Sequence, residues 1–253
     1  MTITLWHVLV VAVATDLATG LGALPFFFVR SLAPRWQGIS YAISGGMMIS
    51  AAVFSLASLG LSRGGVWEIV AGMLAGSVFY WSTARWIRRR AWTIEKLSRA
   101  DSQQSILMLV AMFVHSIPEG IAIGVGYATG QFEFGLLLAL AIAVHNVPEG
   151  IAISLPLRAR GVSPWRCVVY AILTSLPQPI AALPAYLLVD LFQPLLPAGL
   201  GFAGGAMMFL VAAELIPESL ERCSREDMAW GVMGGLLLML LITAGLTRLT
   251  GGL

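Results

Sequence analysis

The chain has 253 residues, of which 58% are hydrophobic and 11% charged, and its mean hydropathy is +0.86. Soluble domains carry about 25% charged residues, so this composition excludes an ordinary globular enzyme, a disordered tail and a coiled coil. A net charge of +2 is too small for a nucleic-acid-binding protein, and Cys167 and Cys223 form no CxxC pair, which excludes a disulfide framework and a zinc knuckle. The remaining class is a polytopic membrane protein.

Charge-poor apolar runs divide the chain into segments of about 20 residues or more, the length that spans a bilayer as an α-helix. The runs do not alternate with a period of two, so helices are favoured over a β-barrel. No Lys or Arg precedes the first run, which we interpret as a membrane span and not as a cleavable signal peptide. We predict an all-α fold, a single transmembrane domain over residues 1–253, with spans at Leu5–Val29, Gln37–Leu61, Val66–Trp86, Ser105–Ala128, Phe132–Leu157, Pro164–Val189, Pro197–Leu220 and Met228–Thr247.

Basic residues segregate between the loops that join these eight predicted spans. Thirteen of the fifteen Lys and Arg fall in the odd-numbered loops or at the span ends next to them, and only Arg63 and Arg248 fall on the other side. The positive-inside rule therefore predicts cytoplasmic odd loops and both termini outside. The one long loop, Ile87–Gln104, is too short to be a second domain.

Several ionisable residues lie deep within predicted spans, where they are costly and mark function by default. In chain order they are Asp16, His115, Glu119, His145, Glu149, Glu214 and Glu218.

Four of them belong to an internal repeat in the fourth and fifth spans. The first copy, from Ala111 to Ile123, reads AMFVHSIPEGIAI, and the second, from Ala141 to Ile153, reads AIAVHNVPEGIAI, with nine of thirteen positions identical. His and Glu at i and i+4 point from one helix face. The proline between them removes a backbone donor, and the glycine after Glu leaves room for another backbone.

Two such faces turned toward each other would bring two imidazoles and two carboxylates together, a set that suits a borderline metal such as Zn²⁺. One His–Glu pair by itself is equally well explained as a buried ion pair. Two copies on consecutive helices favour a metal site.

At these residues the chain resembles the ZIP (Zrt/Irt-like) divalent-metal transporters, nearest to their GufA-like bacterial branch. HSIPEG and HNVPEG resemble the signature of that family's fourth and fifth spans. TGLGALPFF at Thr19–Phe27 and GGAMMFLVAAELIPES at Gly204–Ser219 resemble its first and seventh spans. The resemblance implies eight spans, both termini outside and a metal site between the fourth, fifth and sixth spans.

Carried over position by position, the resemblance implies that the four motif residues His115, Glu119, His145 and Glu149 are metal ligands. It also implies an amide oxygen from Asn146, with the hydroxyl of Ser116 in the equivalent place of the first copy. In the sixth span, SLPQPIAA places Gln178 where many relatives have glutamate. Gln keeps a carbonyl oxygen but removes one negative charge, which argues against a second, carboxylate-bridged metal.

The other deep residues leave alternatives open. Glu214 and Glu218, spaced i and i+4 around Pro217, fit a secondary exit site or a solvated helix end equally well. Asp16 fits a pathway residue or a cap on a neighbouring helix.

The sequence predicts a transporter that moves a divalent transition metal into the cytoplasm. Zn²⁺ is the first candidate, followed by Cd²⁺, Fe²⁺ and Mn²⁺. The alternatives are an intramembrane zinc metalloenzyme, which the absence of an HExxH motif disfavours, and a metal sensor that does not transport. We expect no catalytic cofactor and a multi-pass location in the cell's inner (plasma) membrane. The expected partners are the metal ion and membrane lipid, not nucleic acid, and a homodimer is a candidate assembly.

Overall fold

The computed structural model describes residues 4–28, 33–89, 99–128, 130, 132–159 and 161–249. Within these residues the chain forms eight long helices and no strand, which confirms the predicted all-α class. In chain order the helices are α1 (Leu5–Leu21), α2 (Pro34–Arg63), α3 (Val66–Arg89), α4 (Arg99–Ala128), α5 (Phe132–Ala159), α6 (Pro164–Leu187), α7 (Val189–Leu220) and α8 (Arg225–Leu249).

Within the described residues, six helical regions are long and apolar enough to cross a membrane, judged by length and composition alone. They are α1 with its short extension Pro25–Phe28, α2, α5, α6, α7 and α8. α3 and α4 are not among them, although each coincides with a predicted span. Within the described residues, each predicted span therefore coincides with a helical region, and the first is interrupted by a turn at residues 22–24.

The predicted long loop, Ile87–Gln104, is wrong at both ends. α3 continues to Arg89 and α4 begins at Arg99, with residues 90–98 outside the described part of the chain. Polar residues with good helix propensity lengthen both helices beyond their apolar segments, which hydropathy alone does not detect. Between α4 and α5, Gly130 has a φ of 78°, a conformation that favours glycine.

Glycines bring the helices together in four close pairs. A Cβ added at Gly72 or Gly76 of α3 would overlap the backbone of α7, and α2 and α8 approach each other in the same way. A Cβ at Gly120 would overlap the backbone of Gln178 on α6. One at Gly150 of α5 would overlap that of Thr19 on α1. Small residues permit such backbone contact, which drives helix association in membranes.

The four pairs form two groups of helices. The first group consists of α1, α4, α5 and α6, which pack on one another, and the second consists of α2, α3, α7 and α8. The groups meet chiefly where α4 packs on α7 and where α2 packs on α5. Both copies of the repeated motif therefore belong to the first group.

Two helices of the second group contain a π-helical segment, Ala51–Ala57 in α2 and Val211–Leu215 in α7. By contrast, α4 and α5 continue as α-helices through Pro118 and Pro148.

Candidate metal centre

The two histidines and two glutamates of the repeat meet in the interior, at the contact between α4 and α5. His115 and Glu119 lie on α4, and His145 and Glu149 lie on α5. None of the four side chains is more than 4% exposed. The structure thus brings together the four residues for which the sequence predicted a shared site.

The contacts run crosswise between the two helices. His115 Nε2 lies 2.9 Å from Glu149 Oε1, and His145 Nε2 lies 2.9 Å from Glu119 Oε1. Within α4, His115 Nε2 is 3.5 Å from Glu119 Oε1. Each histidine therefore faces the glutamate of the other helix, so neither copy of the motif forms a complete site alone.

The glycine that follows each glutamate allows this approach. Gly120 brings α6 against α4 beside Glu119, and Gly150 brings α1 against α5 beside Glu149. The predicted role of these glycines in close backbone contact is confirmed at both copies. The neighbouring helices exclude water from the carboxylates, which strengthens their attraction for a cation.

The spacing of the donor atoms fits a small metal ion. One ligand atom each from His115, Glu119 and Glu149 lies within 4.8 Å of the others. Ligands about 2.05 Å from a tetrahedral Zn²⁺ are about 3.3 Å apart, and the nitrogen–oxygen distances here of 2.9 to 3.5 Å bracket that value. Two carboxylates with two neutral imidazoles balance the charge of one divalent ion.

Two amide side chains adjoin one side of the cluster. Gln178 Nε2 on α6 donates to Glu119 Oε2 at 2.7 Å, and Gln178 Oε1 accepts from Asn146 Nδ2 at 3.1 Å. Asn146 Nδ2 also donates to the carbonyl oxygen of Thr15 on α1 at 2.8 Å. Both amides thus lie beside the cluster: Gln178 holds Glu119 directly, and Asn146 in turn holds Gln178.

Ser116 and Asp16 are buried near the same helices. The Ser116 hydroxyl donates to the carbonyl oxygen of Met112 on its own helix at 2.7 Å. Asp16 is 4% exposed, and its Oδ1 has no hydrogen-bond partner within the described residues. The latter observation does not support the reading of Asp16 as a helix cap.

Glu214 and Glu218 lie elsewhere, on α7 among the arginines that end α3 and follow α7. Glu214 pairs with Arg88 at 2.5 Å, and Glu218 pairs with Arg222. Arg222 also donates to Gln37 on α2, so these contacts define one end of the molecule, the arginine-rich end.

A cavity of about 450 Å³ reaches the cluster between α2, α5 and α8. Its lining includes Arg63, at the end of α2, and His145. His145 Nδ1 has no hydrogen-bond partner in the described part of the protein. The cavity therefore connects the Arg63 end of α2 with one imidazole of the cluster.

Sequence reasoning missed the polar lining of this cavity. Ser55, Ser58 and Ser62 line it from α2, and Thr243 lines it from α8. The serine spacing of three and four residues marks one helix face and was available in the sequence. Only the fold, however, shows that this face adjoins His145.

Comparison with known proteins gives one family. The sequence profile described as ZIP Zinc transporter matches residues 94–243. The chain is 35% identical to the zinc transporter GufA of Myxococcus xanthus over 94% of its own length and 98% of the relative's. It is 41% identical to a candidate zinc transporter of Arabidopsis thaliana over 84% of its length, and 43% identical to the zinc transporter ZIP11 of Xenopus tropicalis over 56%.

Two of these relatives are much longer than the chain. The chain spans 34% of the Arabidopsis protein and 44% of the Xenopus protein. The Myxococcus relative is the one of the three that it matches nearly end to end.

Proposed function

Because the chain belongs to the ZIP zinc transporter family, with GufA-like bacterial relatives, we propose that it carries a divalent transition metal across the membrane through the buried His/Glu cluster. The observation that carries the proposal is the crosswise contact of His115 with Glu149 and of His145 with Glu119. Zinc is the first candidate, since the relatives are named as zinc transporters. Cd²⁺, Fe²⁺ and Mn²⁺ can also bind a mixed set of nitrogen and oxygen ligands and are further candidates.

The ligands that we propose are the two imidazoles and two carboxylates of the repeat. Metal binding replaces the contacts between His Nε2 and carboxylate oxygen with bonds to one central ion. Asn146, Gln178 and Ser116 are proposed as flanking oxygen donors, for which the two amides must first rotate. Asp16 is proposed as a secondary residue on the pathway, because its unpartnered oxygen leaves it available.

The route to the site is proposed to run through the cavity that connects Arg63 with His145. Its serine hydroxyls can replace part of the water that the ion sheds before it reaches the cluster. The charge segregation of the loops supports an Arg63 end that faces outside and a direction of transport into the cytoplasm. Glu214 and Glu218 are not assigned as ligands, since both carboxylates are paired with arginine.

The movement that releases the ion is proposed to be a shift of the helix group α1, α4, α5 and α6 against the other four helices. Cavities lie between the two helix groups, which supports such a shift. Besides the cavity beside His145, an apolar groove of about 620 Å³ is lined by residues of α3, α4 and α7. Because the whole cluster lies within one group, the ligands travel together.

The two alternative functions have less support. A zinc enzyme needs a general base beside the metal, and both carboxylates of the cluster are used as ligands in this proposal. A sensor needs the bound ion to remain in place. The cavities between the two helix groups instead leave room for a movement that would release the ion. We also propose that the protein lies in the inner membrane, in contact with lipid, and that it forms a homodimer.

The test is uptake of radioactive Zn²⁺ into proteoliposomes that contain the purified chain. Wild type should accumulate the metal, and Glu119→Gln or His145→Ala should lose uptake and tight binding together. His7→Ala is the matched control, because His7 bonds to Thr4 at the start of α1 and leaves the cluster intact. Tight Zn²⁺ binding by wild type without uptake would support the sensor and overturn the transporter proposal.

A further inference from the structure

A second polar cavity lies at the arginine-rich end, between α3 and α7, outside the metal centre. Its volume is about 360 Å³, and three arginines of α3 line it: Arg85, Arg88 and Arg89. Among the described residues, Glu214 is its one acidic lining residue, and it pairs with Arg88 at 2.5 Å. The three guanidinium groups and one carboxylate of this described lining carry a net charge of +2, so the cavity suits an anion.

Two of the arginines, Arg85 and Arg89, are available to a ligand. All three are exposed, and within the described residues no carboxylate pairs with Arg85 or Arg89. Arg85 lies over the ring of Trp81 at 5.7 Å, which holds its guanidinium at the mouth of the cavity. The planar guanidinium donates two parallel hydrogen bonds to phosphate oxygens, which makes Arg suited to phosphate recognition.

A buried tyrosine adds a donor on the inner side of the cavity. Tyr80 is 1% exposed and lines the cavity, and its hydroxyl lies next to the Glu214 carboxylate. Apart from this contact, the hydroxyl has no hydrogen-bond partner within the described residues. An unsatisfied buried hydroxyl is costly, and a bound oxygen-rich group would satisfy it.

The position of the cavity favours a lipid over a soluble anion. Trp81 is 51% exposed and precedes Arg85 by about one turn of α3. An interfacial Trp followed by Arg is typical of the place where a membrane helix leaves the apolar layer. Arg side chains at such a level reach the headgroups while their stems remain against apolar surface. Basic cavities between membrane helices on the cytoplasmic side bind anionic headgroups.

We propose that this cavity, the α3–α7 arginine pocket, binds the phosphate headgroup of an anionic phospholipid. The acyl chains would extend along α3 beside Trp81, and the headgroup would be held by Arg85 and Arg89. Arg88 remains tied to Glu214. The site is separate from the metal centre and does not depend on the direction of transport.

Native mass spectrometry of the full chain in detergent tests the proposal by titration with phosphatidylglycerol. Phosphatidylcholine with the same acyl chains is the neutral comparison. Wild type should bind phosphatidylglycerol about tenfold or more tightly than phosphatidylcholine, and Arg85→Gln with Arg89→Gln should weaken that binding about 30-fold. Arg166→Gln with Arg225→Gln removes the same charge outside the pocket and should leave the affinity unchanged.

Two further measurements keep the outcome decisive. Glu214→Gln removes the pocket's own anion and should tighten phosphatidylglycerol binding about fivefold. This variant tests the proposal even where the double arginine variant does not fold. Equal losses in the two double variants, no preference for the anionic lipid, weaker binding by Glu214→Gln, or full displacement of the lipid by equimolar glycerol phosphate would each overturn the proposal.

Discussion

Glu119 is the most heavily shared side chain of the metal centre. Its Oε1 lies 2.9 Å from His145 Nε2 and 3.5 Å from His115 Nε2, while its Oε2 accepts a hydrogen bond from Gln178 at 2.7 Å. A buried carboxylate requires this degree of compensation, because its desolvation is otherwise prohibitive. The neutral amide at position 178 provides that compensation without adding charge.

Replacement of Gln178 with Glu should change the number of metals that the centre holds. A carboxylate at this position would face Glu119 Oε2 at hydrogen-bond distance, so two like charges would repel each other until a proton or a second cation intervened. We expect one tightly bound Zn²⁺ in wild type and an increase toward two in Gln178→Glu, as measured by titration with elemental analysis.

The control for this experiment is Gln37→Glu, since Gln37 bonds to Arg222 at the arginine-rich end and lies outside the cluster. It should keep the wild-type stoichiometry. Two fully occupied central metals in the unmodified chain would contradict the charge argument and would assign more of the coordination to Asn146 and Ser116.

Metal binding should weaken in acid. A ligating imidazole must be neutral, and free imidazole titrates near pH about 6.5. As the pH falls, protons compete with the metal for both His115 and His145, so the apparent affinity should fall with a slope that approaches two protons per metal. Isothermal titration with Zn²⁺ from about pH 5 to about pH 8, on either side of the value for free imidazole, measures this slope. An affinity that is unchanged at the acid end would remove both histidines from the proposed ligand set.

At the scale of single elements, the glycines in the helix contacts decide how closely the cluster can be enclosed. Gly120 and Gly150 follow the two motif glutamates, and each packs against the backbone of another helix. Since these contacts involve backbone atoms, a side chain there cannot be accommodated by a rotamer change.

Gly150→Ala should therefore separate α5 from α1, lower the thermal stability and weaken Zn²⁺ binding together. Forced overpacking of this kind costs about 1–3 kcal/mol, and the rigid backbone contact places this site at the upper part of that range. Thermal unfolding in detergent with and without Zn²⁺ measures both effects. Gly234→Ala on α8 is the matched control, because an added Cβ there has no neighbour within 4 Å and alanine has the higher helix propensity.

At the scale of the whole molecule, the division into two helix groups places the metal centre in one of them. α4 and α5 carry all four cluster residues, and α1 and α6 pack against them through Gly150 and Gly120. The cavity beside His145 and the apolar groove beside Pro118 both lie between this group and the other four helices.

Filling the apolar groove should slow transport without loss of binding. Gly199 of α7 lines the groove, and a Cβ added there meets only Pro118 Cβ, at 3.9 Å. Gly199→Leu therefore fits sterically and ties the two helix groups together by apolar contact. We expect a reduced initial rate of Zn²⁺ uptake with an unchanged binding stoichiometry. Gly234→Leu, on the outer face of α8, should affect neither, and an equal reduction there would refute the role of the groove.

The sequence by itself determined the class of the protein and predicted which side chains form the candidate metal centre. Eight apolar runs long enough to span a bilayer leave the helix as the secondary structure that satisfies their backbone groups. The repeated His and Glu at i and i+4 are local in the chain, so helix geometry alone places each pair on one face. The ends of the helices around residues 87–104 were predicted poorly, because helix propensity continues where hydropathy stops.

The tertiary structure decided how the two copies face each other and what surrounds them. The pairing of His115 with Glu149 joins positions 34 residues apart, and the contact of Asn146 with Thr15 joins positions 131 apart. Such contacts depend on which helices pack together, and the close glycine contacts that join the helix pairs are spread over the length of the helices. The pairing of Glu214 with Arg88 and the serine-lined approach to His145 depend on the same packing, so no local pattern in the sequence could reveal them.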